Sequence, residues 1–423
     1  VLDVVYNHLG PEGNYLNDFA PYFTDHYRTP WGSAINYDGP HSDEVRHYFI
    51  SNALYWITEY HIDALRLDAI HGIMDNSATH VLLELAAMVH AQADRLGRTA
   101  LVIAESDLND VRVITPRAEG GHGLDAQWND DFHHAIHSLL TGERNGYYQD
   151  YGELRHLATA LQEGFVLSGQ RSAYRQRKHG NSSRLRPAKQ FLVFSQNHDQ
   201  IGNRAFGDRL STLIVPEALK PTAAAVLLAP NVPLLFMGEE YGETNPFHYF
   251  TDHGDPDLAE AVRKGRRAEF AHFGWTEEIP DPQDPATFER SRVEPGPQSD
   301  PKRAALLRWY RTLIQLRTRH PELGASSSNR EHRVVTFENE QVLLLHRWTG
   351  EGRAALIVLG FSQTAGTITL REPEGTWRRV LDADASEFGG SGQASGPESL
   401  TVTAQGTAVP LAPFGVMVFR RQA

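Results

Sequence analysis

Residues 62–71, Ile-Asp-Ala-Leu-Arg-Leu-Asp-Ala-Ile-His, form a short apolar run interrupted by one cation and closed by one carboxylate. The run has strand length, and alternate residues of a strand share a face, so Arg66 and Asp68 point the same way. A carboxylate is costly beside an apolar strand unless something holds or uses it. Two further runs end alike: ALVIAE at 100–105 closes on Glu105, and FLVFSQNHD at 191–199 closes on Asp199. Side by side in a parallel sheet, these strands would bring Asp68, Glu105 and Asp199 together at its C-terminal edge, where α/β folds keep their chemistry.

The surrounding chain supports that sheet. VLDVVYNH at 1–8 reads as a strand, followed by a Gly/Pro/Asn/Asp-rich aromatic loop to about Pro40. A helix is predicted from Ser42 to Tyr60, with Ser42 as N-cap and Val45, Phe49, Ala53 and Trp56 on its apolar face. Strands at 62–68, 99–105, 124–128, 190–196 and 232–238 then alternate with helices at 78–96, 130–141, 150–163, 216–229 and 302–319. Such alternation implies right-handed crossovers and a parallel sheet of about six strands, short of the eight that close a barrel. From about residue 331 short strands with Gly and Asn/Asp turns replace the helices. The expected organisation is a (β/α)8 TIM-type barrel over 1–330, with an insertion near 243–300, and an antiparallel β-sandwich over 331–423. The chain opens inside a strand without an initiating Met, so the first part of the barrel is expected to precede residue 1.

Composition narrows the function. The 423 residues carry 40 basic and 53 acidic side chains, a net charge of −13. That field repels phosphates, and no Lys/Arg stretch suggests a nucleic-acid groove. No run approaches a membrane span. Cysteine is absent, which removes disulfides and thiolate catalysis and fits a reducing, cytoplasmic setting.

Individually the acidic residues are ambiguous. Arg66 would hold Asp68 ionised, as a carboxylate nucleophile requires, but reads equally as a structural ion pair. An apolar setting would raise the Glu105 pKa towards neutrality, although alone a loop or helix-capping role is the better reading. Together, two carboxylates for acid and nucleophile work and a third to stabilise charge match the equipment of a retaining glycoside hydrolase. Here the chain resembles the α-amylase superfamily through DVVYNH (3–8), LRLDAIH (65–71), the strand ending in Glu105, and FSQNHD (194–199). The resemblance implies Asp68 as nucleophile steadied by Arg66, Glu105 as general acid and then base, and Asp199 gripping the sugar beside His198. It also places Asp3 and His8 around the sugar whose bond is cut, and implies no cofactor.

The text around these motifs, including AESDLND, QWNDDFHH and LLFMGEEYGETNPFHYFTDH, is similar to the maltooligosyltrehalose trehalohydrolases. That resemblance implies a trehalose-terminated maltooligosaccharide substrate, cut at the α-1,4 bond that releases trehalose. His71 becomes a candidate contact on the leaving-group side. The loop aromatics Trp31, Tyr37, Trp128, Phe247, Tyr249 and Phe250 read equally as sugar platforms or as loop-core packing, with Trp128 and Tyr249 the favoured platforms. His133, His134 and His137 lack an accompanying ligand motif, so a solvated helix with one or two site-facing His is expected, and no metal site. Glu239 and Glu240 are expected to anchor a loop or bond substrate. A glucan branching enzyme using the same acids is the alternative, and a non-catalytic glucan-binding protein a weaker one.

Overall fold

Six strands run parallel in one sheet, and the three strand-end acids lie along its C-terminal edge. The computed structural model describes residues 1–272, 279–294, 300–326, 328, 331–393 and 396–422. In chain order the elements are β1 (Leu2–Val4), a hairpin of β2 (Phe23–Thr29) and β3 (Gly32–Ile35), α1 (Ser42–Thr58), β4 (Ala64–Leu67), α2 (Val81–Arg95), β5 (Leu101–Ala104), β6 (Ala126–Trp128), α3 (Asp130–Thr141) and α4 (Leu154–Glu163). There follow β7 (Phe191–Val193), α5 (His198–Gly202), α6 (Leu210–Leu213), α7 (Leu219–Leu227), β8 (Val232–Pro233), α8 (Pro256–His272), α9 (Pro285–Arg290) and α10 (Pro301–Arg319). The sheet order is β1-β4-β5-β6-β7-β8, the parallel wall of a TIM-type barrel.

Period-two alternation sorts the strand residues. Leu65, Leu67, Val102 and Ala104 pack outward with residues of α1 and α2 such as Phe49, Ala53, Leu85 and Val89. Ala64, Ile103, Ala126, Trp128, Leu192 and Phe194 form a separate inner cluster. Arg66 and Asp68 continue the inner face of Ala64, and Glu105 that of Ile103.

Several local expectations shift. The cap of α1 is His41 in a left-handed conformation (φ 63°), and Ser42 is already helical because Ser42 N–H donates to Gly39 O. Ile57, four residues after Ala53, takes the buried place expected for Trp56. The loop before α1 contains the β2–β3 hairpin, and the insertion near 243–300 contains α8 and α9. Only Val232 and Pro233 of the 232–238 run pair as strand, since Pro233 offers no N–H and the chain then turns. Among the described residues no helix is long and apolar enough to cross a membrane.

The C-terminal strands are β9 (His332–Phe337), β10 (Val342–Trp348), β11 (Ala354–Gly360), β12 (Gly366–Leu370), β13 (Gly375–Asp382), β14 (Ser399–Val402), β15 (Thr407–Leu411) and β16 (Val416–Arg421). They form a six-stranded antiparallel sheet, β14-β13-β16-β11-β10-β9, and a pair, β12-β15. One face of the larger sheet (Leu344, Leu356, Val358, Met417) packs on Ile368 and Val409 of the pair, making a sandwich. The other face (Leu343, Leu345, Ile357, Val418) packs against α4, α7 and α10 through Leu157, Leu227 and Leu313. β11 is therefore buried on both faces along its whole length.

Two arginines pin this junction. Arg317 Nη1 donates to Leu227 O and Ala229 O at 2.8 Å, and Arg347 Nη1 to Leu228 O at 3.0 Å and Ala229 O at 3.2 Å. They satisfy the orphan carbonyls at the C-terminal end of α7, whose partial negative charge suits a cation. Burial lowers both guanidinium pKa values, to about 10 for Arg317 and about 9 for Arg347. Arg347→Met leaves these carbonyls short of donors and should cost roughly 1.5–3 kcal/mol of stability in chemical denaturation. An unchanged midpoint would contradict this role.

Candidate active site

Arg66 is the centre of the acidic edge. Its side chain is 3% exposed, and Nη1 donates to Asp68 Oδ1 at 2.7 Å and Asp3 Oδ1 at 2.8 Å. Nη2 lies 3.4 Å from Glu105 Oε2 and 3.8 Å from Asp199 Oδ2. The guanidinium also stacks over the Trp128 ring, 4.2 Å from its centroid. Burial opposes its charge, but Glu105, Asp3 and Asp68 together outweigh that and hold the cation above its ordinary pKa.

The sheet ladder fixes where these side chains stand. Asp68 N–H donates to Val4 O and Glu105 N–H to Leu67 O, each at 3.0 Å, so both acids are hydrogen-bonded into the ends of their strands. The turn after β4 folds back onto β5: Ile70 N–H donates to Glu105 O at 3.0 Å, and Ala69 N–H to the Glu105 carboxylate. Ala69 takes a left-handed conformation (φ 39°) to make that contact, a costly one for a residue with a Cβ. Asp199 is the second residue of α5, whose N-cap Asn197 accepts from Gln200 N–H at 2.9 Å.

Asp68, Glu105, Asp199 and His71 line a cavity of about 840 Å³. Burial lifts the Glu105 carboxyl to about 7, against the opposing pull of Arg66 and the Ala69 N–H. His71 Nδ1 is 3.8 Å from Asp107 Oδ1, and Asp107 in turn pairs with Arg175 at 3.1 Å. His198 Nε2 is 3.4 Å from Asp199 Oδ2 and its ring meets Trp128 edge-on. His8 stacks on Trp31 at 4.7 Å and bonds Asn7.

The favoured aromatics lie elsewhere than the cavity wall. Trp128 is buried with Arg66 over its face, because the inner-face alternation puts it beneath the acids. Tyr249 carries Arg266 over its ring at 4.7 Å and borders a separate small depression with Arg204, His248 and Pro282. Tyr37 is loop core, its hydroxyl donating to Tyr6 O, and Phe247 and Phe250 pack on Phe236 and Phe288. Trp31 does line the cavity, together with Tyr147, Tyr148, Tyr174 and Phe206, which carried no sequence signal beyond being aromatic in loops or short turns.

The histidine helix is packed, not solvated. His133 sits between Ser195 O (2.7 Å) and the Tyr148 hydroxyl (3.0 Å), and His137 pairs with Glu143 at 2.9 Å. Only His134 of the three borders the cavity. Among the described residues no group of three or more His, Asp or Glu is arranged to hold a metal ion. Glu239 is buried behind β7, within 3.4 Å of Ser195, Gln196 and Tyr310, and burial lifts its carboxyl to about 8. It anchors the strand-end segment instead of facing the cavity.

A solved Salmonella typhimurium protein described as an α-amylase matches the whole chain with a TM-score of 0.83 and 39% identity, and the chain covers 68% of it. The chain belongs to the α-amylase family. The profile of the α-amylase C-terminal all-β domain matches residues 326–422, which take in β9 to β16. Within this family, the malto-oligosyltrehalose trehalohydrolase of Arthrobacter ramosus is 51% identical over 76% of the chain. That of Saccharolobus solfataricus is 43% identical over 88%. The chain spans 56% and 62% of the length of these two relatives.

The Glu105 environment has a thermodynamic consequence. Its folded pKa, about 7, lies above the ordinary 4.5, so folding penalises the ionised form. The penalty is absent below the ordinary value, grows as pH rises, and is complete above the folded value. Glu105→Gln should therefore be more stable than the parent at pH 8, by up to about 3 kcal/mol, with the gain fading towards pH 4.5. Denaturation midpoints of the two proteins at the two pH values check this; a gain that does not depend on pH would refute it.

Proposed function

We propose that this chain is the catalytic part of a retaining glycoside hydrolase that cuts the α-1,4 bond next to the trehalose end of maltooligosyltrehalose, releasing trehalose and a maltooligosaccharide. The observation that carries the chemistry is Arg66, one buried guanidinium in contact with Asp3, Asp68, Glu105 and Asp199 at the edge of a single cavity. The trehalose specificity rests on the names of the relatives. The reading takes 1–330 as the catalytic unit and 331–423 as the sandwich that buttresses it, with the protein working in the cytoplasm.

In this mechanism the Asp68 carboxylate, bonded to Arg66, attacks the anomeric carbon while Glu105 gives its proton to the glycosidic oxygen. The carbon–oxygen bond to the leaving sugar breaks, and an ester to Asp68 forms. Water then attacks the anomeric carbon, Glu105 takes the proton, and the ester bond breaks. A carboxyl with a pKa near 7 suits both halves, since it is protonated in a large fraction at neutral pH and can be regenerated. Asp199, with His198 beside it, holds hydroxyls of the reacting sugar, with Asp3 and His8 on the opposite flank.

Two experiments test the reading. Incubated with maltooligosaccharides with and without a trehalose terminus, the enzyme should release trehalose from the capped substrate only; new α-1,6 branches would support the branching alternative instead. With α-glucosyl fluoride, whose leaving group needs no proton, Glu105→Gln should accumulate a glucosyl ester on Asp68, visible by intact mass. With the natural substrate the same variant should lose about 10²- to 10⁴-fold in rate. Absence of any adduct would sink the covalent mechanism.

A further inference from the structure

One acid of the QWNDDFHH stretch stands on the cavity wall without a part in the mechanism above. Asp130 is the first residue of α3, two beyond Trp128, and so extends the inner face that Ala126 and Trp128 occupy. It lines the cavity with Glu105 and Asp199. Its Oδ1 accepts from Gln200 Nε2 at 3.2 Å, and Gln200 Oε1 accepts from the Tyr147 hydroxyl at 3.4 Å. Among the described residues no arginine or lysine forms an ion pair with it, whereas Asp3, Asp68, Glu105 and Asp199 all share Arg66. Burial first, and then the charges of Glu105, Asp199, Asp131 and Asp107, push its carboxyl well above the ordinary carboxylate range.

The sheet order says which end of the substrate Asp130 serves. Along β4-β5-β6 it lies beyond Glu105 as seen from Asp68. In the proposed mechanism the acid protonates the departing oxygen, so a group beyond the acid that, unlike Asp199, stands outside the Arg66 cluster faces the departing sugar. A neutral carboxylic acid there can donate an O–H, which ionised carboxylates cannot do. We propose that Asp130 is a specificity-determining residue that hydrogen-bonds to a hydroxyl of the sugar on the leaving-group side. This rests on the glycosidase reading above.

The test compares Asp130→Ala and Asp130→Asn on maltooligosyltrehalose and on α-glucosyl fluoride, which has no leaving sugar. Asp130→Ala should lower kcat/KM on the oligosaccharide about 10- to 100-fold. Asp130→Asn, which keeps a neutral donor, should stay within about threefold of the parent. Neither variant should change hydrolysis of the fluoride by more than about threefold, which also reports that the site is folded. The proposal is overturned if Asp130→Asn is as damaged as Asp130→Ala, if Asp130→Ala is unimpaired, or if both lose the fluoride reaction. The broader reading fails separately: a parent enzyme that cuts uncapped maltooligosaccharides equally well overturns the trehalose assignment, and the Asp130 comparison then reads on that substrate.

Discussion

Four carboxylates cannot crowd one sheet edge without a cation among them, and Arg66 is that cation. Its planar fork reaches Asp3 and Asp68 from one nitrogen and Glu105 and Asp199 from the other. Burying a guanidinium is itself expensive, and the Nε–H finds no acceptor. The carboxylates around it and the Trp128 face beneath it meet that cost. A lysine would give a point charge without the fork geometry. The whole edge of the sheet thus depends on one side chain standing on the inner face of a four-residue strand.

Around this cation the acids differ by environment. Asp68 is held directly by an Arg66 N–H, whereas Glu105 meets the guanidinium at a longer distance and is sunk deeper in apolar surroundings. That burial suits Glu105 to exchange a proton near neutrality, while the Arg66 N–H fixes where the Asp68 carboxyl stands. Because Asp68 and Glu105 are themselves bonded into the parallel ladder, their positions are as rigid as the sheet.

The C-terminal sheet contributes to this rigidity from behind. Its inner face shares one apolar cluster with α3, α4, α7 and α10, and α7, which leads into β8, is buried along Pro221–Leu227. Arg317 and Arg347 extend that grip to the carbonyls where α7 ends, just ahead of β8. Glu239, after β8, reaches Ser195 and Gln196 on the segment leading to Asp199, and Tyr310 on α10, so few contacts lie between the sandwich-facing helix and that site acid.

Local pattern carried much of this before any coordinates. Strand length, apolar content and a terminal acid located Asp68, Glu105 and Asp199, because a carboxylate at the end of a buried strand is conspicuous on energetic grounds alone. The two-residue spacing of Arg66 and Asp68 was legible for the same reason, and the change from helices to short strands near 331 marked the sandwich. Other features escaped because their meaning is not local. Trp128 and Trp31 look alike as aromatics in the sequence, yet one is paved over by Arg66 and the other borders the cavity. Tyr147, Tyr174, Arg175 and Arg204 come to the wall from loops and short turns with no periodicity, and in sequence Asp130 is only one of two acids at the start of a helix. Strand and helix periods are dictated by neighbours along the chain, so sequence by itself determined the sheet and its acidic edge. Which loops converge over that edge is dictated by packing between distant segments, and only the tertiary structure decided it.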